Sequence, residues 1–457
     1  MSRILIFGLS PLPFENERRM YGPGIRTWQF AEPLLADGHD VRLVTMRIGG
    51  AYEEAGERVR HRQEGRLDSW SLDEKGFKDL PFLQKLHDDF APDAVVGATA
   101  HASSVAVRIS TDRPVWADVF GDLMAEAQAK AFVYDNDHYL IHFWDMLRPI
   151  LDRADIFSGV SNRQCCSLVG ALGVRGRLNK HSHGYLLVHH VPCGMSATPF
   201  THEKTVLRGI DAAPGDFVLL WSGGYNTWTD VETLFAALEI AMERDHRVRF
   251  ASTGGQIDGH DERTYPRFRE LIAGSRFRER YLLRGWLPTQ DVPNYYFEAD
   301  AGIHIDRPIY ERILGSENRV LDWMRAGLPI VCSDVSELAE QLDRDSLGVV
   351  YRSGDAAGLA GAILRLVEDP LGRREMARRA NAWALENLTF ERTTEPLRRW
   401  ANAPLPSPDR GRRIPLERCE IAPVRRPLRT RFYLSMKSEG LGSALRKTAR
   451  WLWKRVR

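Results

Sequence analysis

The apolar positions of this chain fall into short continuous runs, separated by glycine-containing loops and stretches of helical period. Residues 3–7 are nearly all apolar, the pattern of a strand buried on both faces. A Gly/Pro-containing loop follows from Gly8 to Gly24. A helical pattern then covers 25–37 and stops at Gly38, and Pro33 inside it predicts a kink or a shortened helix. Residues 41–45 read as the next strand. Strand, loop, helix and strand in that order make a βαβ unit, which implies a parallel sheet. Residues 94–97, 114–117 and 156–160 predict further strands, the last followed by a helix through 165–170, and 190–194 closes the series. The same grammar restarts at 217–221. A polar loop, 222–227, leads to Asp230, which fits the N-cap of a helix over 231–244. Strands follow at 248–251, 280–283, 301–305 and 329–332, with a helix at 317–325 ending at Gly327. Helical patterns at 356–368, 373–386 and 390–400 complete the pattern. Residues 404–427, rich in Pro and Arg, read as a surface loop.

Two α/β units in tandem suit a chain of 457 residues, which is too long for one core. Hydrophobic and charged contents of 43% and 27% are those of an ordinary globular protein. No run of eighteen apolar residues exists to span a bilayer, and the first residues lack the apolar stretch of a signal peptide. Five cysteines, odd in number and without CxxC spacing, argue against a disulfide framework or a zinc site and fit a reducing cytoplasm.

Charge is unevenly spread. Ser407 to Arg457 holds 15 Lys/Arg against 4 Asp/Glu, a balance of +11, so the preceding chain carries −9. Within that tail, from Leu441 to Arg457, Leu441, Leu445, Thr448, Leu452 and Val456 fall on one helical face. Arg446, Arg450, Lys454 and Arg457 fall on the other, with Trp451 and Trp453 at the flanks and Arg455 at the apolar edge. A basic amphipathic helix of this kind suits an anionic membrane surface, the other readings being a helix docked on the acidic body or a nucleic-acid contact. No nucleic-acid motif supports the last.

Ligands of open parallel sheets bind beyond the carboxyl ends of the strands, which nominates three loops. The first carries Gly22, Gly24 and Arg26 at a helix start. The second carries Gly223, Gly224, Asn226 and Thr227, the amides, hydroxyls and carboxamide of a phosphate nest. The third runs from Asp306 to Arg319 and on to Pro329, with Glu311, Ser316, Glu317, Arg319 and Asp322. It combines carboxylates for sugar hydroxyls with amides and a guanidinium for a diphosphate. Neither half has the GxGxxG of a dinucleotide site. In the first half, His101 follows a strand, and Asp118 and Asp122 form a polar cluster that could grip acceptor hydroxyls or simply start a helix.

These elements resemble the GT-B glycosyltransferases, especially the retaining family 4 group. Gly327-Leu328-Pro329-Ile330-Val331 is similar to the family's G-x-P-V-V element, with Arg325 where the family has alanine. Thr253-Gly254-Gly255, Gly285-Trp286 and Ala299-Asp300 occur in the family's order. Val191-Pro192-Cys193-Gly194 resembles its V-P-N-G element, and Gly38-His39-Asp40-Val41 its G-H-x-V. The resemblance covers roughly residues 1 to 400 and implies two Rossmann-like parallel-sheet domains facing a cleft, with the basic helix beyond them. By resemblance, residues 1–198 hold the acceptor, 215–385 hold a nucleoside diphosphate sugar, 386–403 cross back to the first domain, and 404–457 form the tail. The implied reaction is retaining transfer to a glycan or lipid-linked acceptor in surface polysaccharide or glycoconjugate synthesis. It needs no metal or other cofactor and would run in the cytoplasm, at the inner face of the plasma membrane.

The family's paired glutamates, eight positions apart, map to Asp322 and Leu314. Asp322 is then the acceptor for ribose hydroxyls, and the sugar-facing role passes to Glu311 or Glu317, of which Glu311 is preferred. Glu311 and His101 are the catalytic candidates. Gly285 and Trp286 join the donor-binding set. The basic pair that the family places after its glycine loop maps to Gly224 and Thr229, leaving loop amides, Asn226, Thr227, a helix N-terminus or Arg319 to meet the diphosphate. A GT-B epimerase and a non-catalytic glycan-binding scaffold remain open alternatives. Activity on free nucleotide sugar would mark the first, and failure to bind nucleoside diphosphates the second.

Overall fold

The computed structural model describes every residue except 16, 18, 53–56, 419–431, 434, 438–439 and 454–457. The chain divides into two units, Met1–Arg413 and Ile414–Arg457.

The first unit contains two sheets. The first sheet has the order β3-β4-β2-β1-β5-β6-β7-β8. Its strands are β1 (Arg3–Ser10), β2 (Asp40–Arg47), β3 (Val59–Glu64), β4 (Leu67–Leu72), β5 (Ala94–Gly97), β6 (Val115–Asp118), β7 (Ile156–Gly159) and β8 (Val188–His190). All pairings are parallel except β3 with β4. The second sheet is parallel throughout, in the order β11-β10-β9-β12-β13-β14. It comprises β9 (Phe217–Ser222), β10 (Val248–Thr253), β11 (Tyr281–Gly285), β12 (Ala301–His304), β13 (Ile330–Ser333) and β14 (Val349–Tyr351). Numbered within their own sheet these run 3-2-1-4-5-6, the dinucleotide-fold order, with its switch point between β9 and β12. The first sheet repeats this order between β4 and β8, so its switch point lies between β1 and β5.

The apolar runs follow from burial on both faces. In β1, Leu5 and Phe7 enter one core while Ile4 and Ile6 enter another. In β9, Phe217, Leu219 and Trp221 face one core, and Val218 and Leu220 the opposite one. Helices cover both faces. In the first domain they are α1 (Gly22–Ala36), α2 (Glu74–Lys78), α3 (Leu80–Phe90), α4 (Ala100–Ala106), α5 (Leu123–Tyr134), α6 (His138–Arg153) and α7 (Asn162–Val174). In the second they are α8 (Val231–Arg244), α9 (Thr264–Ala273), α10 (Val292–Glu298), α11 (Tyr310–Leu314), α12 (Asn318–Ala326), α13 (Glu337–Arg344), α14 (Ala356–Glu368) and α15 (Pro370–Asn387).

Several features depart from the sequence reading. Pro33 is buried inside α1, which continues past it to Ala36, so the helix is not shortened. The β3–β4 hairpin escaped notice because β3 is polar and mostly exposed. The single helix expected at 390–400 is two, α16 (Phe390–Thr393) and α17 (Glu395–Asn402), with Pro396 in the first turn of the second. Residues 404–413 are not a free surface loop. Asp409 is buried against Arg177, and the Ser407 amide donates to Asp155 at 2.9 Å.

Residues 388–402 pack on the first domain. Arg398 makes a bidentate pair with Asp37 at 2.6 and 2.5 Å, and Gln29 donates to Thr393 at 2.8 Å. The second unit contains α18 (Leu441–Trp453). The end of the expected amphipathic helix, Lys454 to Arg457, and Cys419 lie outside the described residues. Among those described, no helix is long and apolar enough to cross a membrane.

Arg26 and Asp118 anchor the first domain. Their side chains are fully buried and doubly hydrogen-bonded, at 2.7 and 3.0 Å, and Arg26 also donates to the Val191 and Pro192 carbonyls. Removing one partner strands the other charge. Asp118→Ala is therefore expected to cost about 3–5 kcal/mol in urea unfolding; a loss below about 1 kcal/mol would show that the pair is dispensable.

Candidate donor site at the carboxyl ends of the second sheet

The two switch points face each other. Gly22 opens α1 after β1, and a Cβ placed on it would lie 2.8 Å from Nδ2 of Asn318, the first residue of α12. Tyr21 packs edge-on against Trp286 at 5.9 Å between ring centres, and Arg19 pairs with Asp258 at 3.2 Å.

Three glycine turns, at the ends of β9, β10 and β11, interlock through their backbones. The Gly223 amide donates to Thr253 O at 2.6 Å, Gly254 to Gly285 O at 2.7 Å, and Tyr225 to Gly255 O at 3.0 Å. Gly223 and Gly254 have φ of +93° and +135°, and a Cβ on Gly254 would strike the Gly223 carbonyl. A Cβ on Gly224 would strike Ile257. Only glycine allows backbones to approach this closely. Trp286 flanks the turns, its indole N–H donating to Gln256 O at 2.8 Å.

Around these turns lie polar atoms that have lost water and gained nothing. Asn226 Oδ1, Thr227 Oγ1, Thr253 Oγ1 and Arg319 Nη1 are buried without a hydrogen-bond partner. Buried polar groups are nearly always satisfied, so a cluster of exceptions marks a place for a ligand or ordered water. The Arg319 guanidinium lies 3.8 Å over the Trp221 ring and donates to Gly224 O at 3.1 Å. Burial brings its pKa down to about 10, leaving it cationic at neutral pH. No side chain caps the start of α12, so its first-turn amides add to this positive end.

Behind them sits a buried charge cluster. Arg312 donates to Asp306 at 2.7 Å, stands 3.4 Å from Glu311 and 3.5 Å from Glu317, and donates to Ser316 O at 3.1 Å. Burial would raise the Asp306 pKa, but Arg312 and His304 outweigh it and hold this carboxyl well below the usual range. Glu311 takes the opposite course. It is 6% exposed, on an α11 that packs against α5, and burial pushes its pKa up to about 8. His304, Asp306 and Glu317 could each offer a ligand atom within 4.8 Å of the others. Arg312 pairs with both carboxylates, at 2.7 Å to Asp306 and 3.5 Å to Glu317, while His304 Nδ1, Asp306 Oδ1 and Glu317 Oε2 are buried without a hydrogen-bond partner.

Residues 216–369 match the family model of the group 1 glycosyl transferases. The chain carries a glycosyltransferase domain. No curated protein matches the chain in sequence. Among solved structures, sucrose-phosphate synthase from Thermosynechococcus elongatus is 16% identical, with a TM-score of 0.65 over 88% of this chain and 98% of that one. The structure of trehalose-6-phosphate from E. coli bound with UDP-2-fluoro glucose is 10% identical, with a TM-score of 0.64 over 89% and 100%. Anabaena HepE with UDP and glucose is 15% identical, with a TM-score of 0.61 over 88% and 100%. At these identities the likeness establishes the shared two-sheet fold, which is the GT-B arrangement.

Within this domain the expected donor residues Gly223, Gly224, Asn226, Thr227, Gly285, Trp286 and Arg319 gather at the glycine turns. Ser316 and Glu317 adjoin them through Arg312. Asp322, about one turn further into α12, accepts no hydrogen bond from a described residue, and burial lifts its pKa to about 6. Arg325, where the family has alanine, stacks on Phe200 at 3.7 Å and donates to Thr198 O, so it ties α12 to the interdomain linker.

The acceptor-side set divides. Gly22 and Gly24 stand at the start of α1, where a Cβ on Gly24 would strike the Pro11 carbonyl. Arg26 and Asp118 are spent on each other inside the first domain and are not available to grip a hydroxyl. Asp122 caps α5 and accepts from Ser167 at 2.7 Å. His101 does not join the other candidates: its ring stacks on Phe77 at 6.0 Å, and Lys78, Glu74, His142 and Arg108, all of the first domain, act on it. Glu311 was expected as a carboxylate; burial makes it a neutral acid at pH 7, able to donate a hydrogen bond. Sequence reasoning passed over Arg312, Asp306 and Trp221, although Asp306 and Trp221 lie at strand ends, where the rule for parallel sheets directs attention.

The Glu311 shift has a thermodynamic consequence. Between its ordinary value of 4.5 and about 8 the folded protein holds a proton that the unfolded chain has released, so stability falls as pH rises through that window. The urea midpoint should drop less between about pH 5 and pH 8 in Glu311→Gln than in the parent. Equal drops would mean that Glu311 is ionised in the fold.

Proposed function

We propose that this glycosyltransferase moves a sugar, with retention, from a nucleoside diphosphate sugar in the second domain (215–385) to a glycan or lipid-linked acceptor offered by the first (1–198). The observation that carries the reading is the cluster of buried, unpartnered polar atoms on Asn226, Thr227, Thr253 and Arg319, at the interlocked glycine turns. Its Arg319 N–H and threonine hydroxyls are donors where a diphosphate would lie, the Asn226 Oδ1 is an acceptor for a ligand hydroxyl or N–H, and the cluster faces the first domain at Gly22.

In this reading the bond between the sugar carbon and the diphosphate oxygen breaks, and negative charge grows on the leaving oxygen. Fixed donors aimed at that charge lower the barrier because they need no reorganisation. Arg319, the turn amides and the start of α12 provide them. The sugar becomes oxocarbenium-like, and the acceptor hydroxyl passes its proton to the departing phosphate, so no protein base is required. Asp322 accepts from the ribose hydroxyls, and neutral Glu311 donates toward the sugar. Several solved structures of this fold hold UDP or a UDP-sugar, which makes UDP-glucose the first donor to try.

The α18 segment is proposed to hold the enzyme at an anionic membrane surface on the cytoplasmic side, where a lipid-linked acceptor would be found. Its support is the division of the sequence into an apolar and a basic face.

A donor at about 100 times its Kd should stabilise the protein by ~2.7 kcal/mol, visible as a raised melting temperature in a screen of nucleotide sugars. If no nucleotide sugar or nucleoside diphosphate shifts the melting temperature, the protein is instead a non-catalytic scaffold. Asp322→Ala should weaken donor binding about tenfold, the equivalent of ~1.4 kcal/mol, by calorimetry; undiminished affinity would remove Asp322 from the site. Deleting the residues after Thr430 should abolish co-sedimentation with phosphatidylserine vesicles, and persistence of binding would refute the membrane role.

A further inference from the structure

The resemblance places a basic pair after the first glycine turn, and this chain has Gly224 and Thr229 there. Three arginines lie close enough to be considered as replacements. Arg307 pairs with Glu232 at 2.7 Å. Arg312 is committed to Asp306, Glu311 and Glu317. Arg319 differs from both. Among the described residues no carboxylate forms an ion pair with it; one nitrogen donates to Gly224 O, and Nη1 is buried without a partner. Burial depresses its pKa and Asp306, from beyond ion-pair distance, offsets this only in part, so the cation needs a closer support.

That support is Trp221. The guanidinium lies 3.8 Å over the indole. The indole itself cannot turn away. Trp221 is fully buried, its N–H donates to Gly223 O at 3.0 Å, and its ring stacks on Tyr225 at 4.8 Å. Tyr225 is pinned in turn by a 2.8 Å hydrogen bond with Ser252. One side chain thus belongs to the core, orients a carbonyl of the glycine turn, and presents a π face to the cation.

We propose, on the basis of the donor reading above, that Trp221 is a positioning residue: its indole face holds Arg319 at the first glycine turn as the cation for the nucleotide's diphosphate, in place of the missing basic pair. The indole stabilises the cation without neutralising it, as a carboxylate would, so its charge and its free N–H remain for the ligand. The desolvated end of the cation–π range corresponds to roughly 30-fold in affinity.

The test is calorimetry of the full chain with UDP and with UMP, because the ratio of the two Kd values isolates the second phosphate. Arg319→Met should lower UDP affinity about 100-fold and collapse the ratio toward one, as loss of a charge-assisted contact to phosphate predicts. The ligand-free Arg319→Met protein should melt no lower than the parent, since an uncompensated charge has been removed. Trp221→Leu should reduce the ratio about 10- to 30-fold, and Trp221→Phe, which keeps a π face, should restore most of it. A structural defect would weaken UMP and UDP alike, leave the ratio unchanged, and overturn the proposal. So would an Arg319→Met protein that binds UDP as the parent does. If Trp221→Leu fails to fold, Trp221→Phe decides: a ratio as low as that of Arg319→Met rejects the platform role. If the parent protein binds no nucleoside diphosphate of any base, the donor reading itself falls, whereas a parent that binds and variants that bind equally well reject only the role of Trp221.

Discussion

A strand in a parallel sheet covered on both faces has no side on which to carry chemistry. In β9, Phe217, Leu219 and Trp221 enter one core, and Val218 and Leu220 the other. Every reactive group must then leave the sheet at a carboxyl end, where neighbouring connections diverge to opposite faces and leave a crevice. Backbone amides can line that crevice only if adjacent turns come within hydrogen-bond reach of each other. Gly223, Gly224 and Gly254 meet this demand, since a Cβ on Gly224 or Gly254 would collide with its neighbour. The donor cradle is therefore a consequence of how the second sheet is buried. Trp221, the last inward residue of β9, stands where the core ends and the cradle begins.

Electrostatics then sorts residues of the same type into different tasks. Arg312 and Arg319 lie on the same loop-and-helix segment, yet carboxylates surround the first and an aromatic face supports the second. The carboxyls around Arg312 also differ. Asp306, at 2.7 Å, is held ionised. Glu311, at 3.4 Å and facing Glu126 across the domain seam, is kept protonated mainly by its burial. One arginine cannot offset the desolvation of every acid beside it, and the nearer carboxylate receives most of its effect.

Much of this fold could be read from sequence because a continuous apolar run that ends in glycine fits little besides a doubly buried strand and its turn. The elements that escaped lacked that signature. β3 is polar and sits at a sheet edge, and β14 is a short Val-Val-Tyr run, half-buried except for its last residue. The glycine turns and the start of α12 were legible for the same reason as the strands. The states of the side chains were not. Pairing of Arg26 with Asp118 depends on the end of β6 reaching α1, and protonation of Glu311 depends on its burial where α11 packs against α5. His101 follows a strand as a cleft residue would, but Phe77 of α2 takes its ring. Each of these facts belongs to tertiary packing, which local pattern does not encode.

The connection between β10 and α9 shows how the two domains can act on one ligand. Asp258 is held by Arg19 of the first domain at 3.2 Å, and His260 by Lys130 at 3.0 Å and by Tyr134, whose hydroxyl donates to its carbonyl. Burial, reinforced by the Lys130 charge, brings the His260 pKa down to about 4, so the ring is neutral and serves as acceptor for the lysine. Between them, Ile257 fills the space above Gly224, and the Gln256 carbonyl fixes Trp286. Arg263, at the end of the loop, also donates to Val133 O and lies 4.9 Å over the Tyr134 ring, so the same short loop is gripped from the first domain at three points while it forms a wall of the donor turn. Separating the domains would have to break these grips or drag the loop, and dragging it would remove Ile257 from Gly224. Domain closure and the shape of the donor cradle are therefore not independent variables in this molecule.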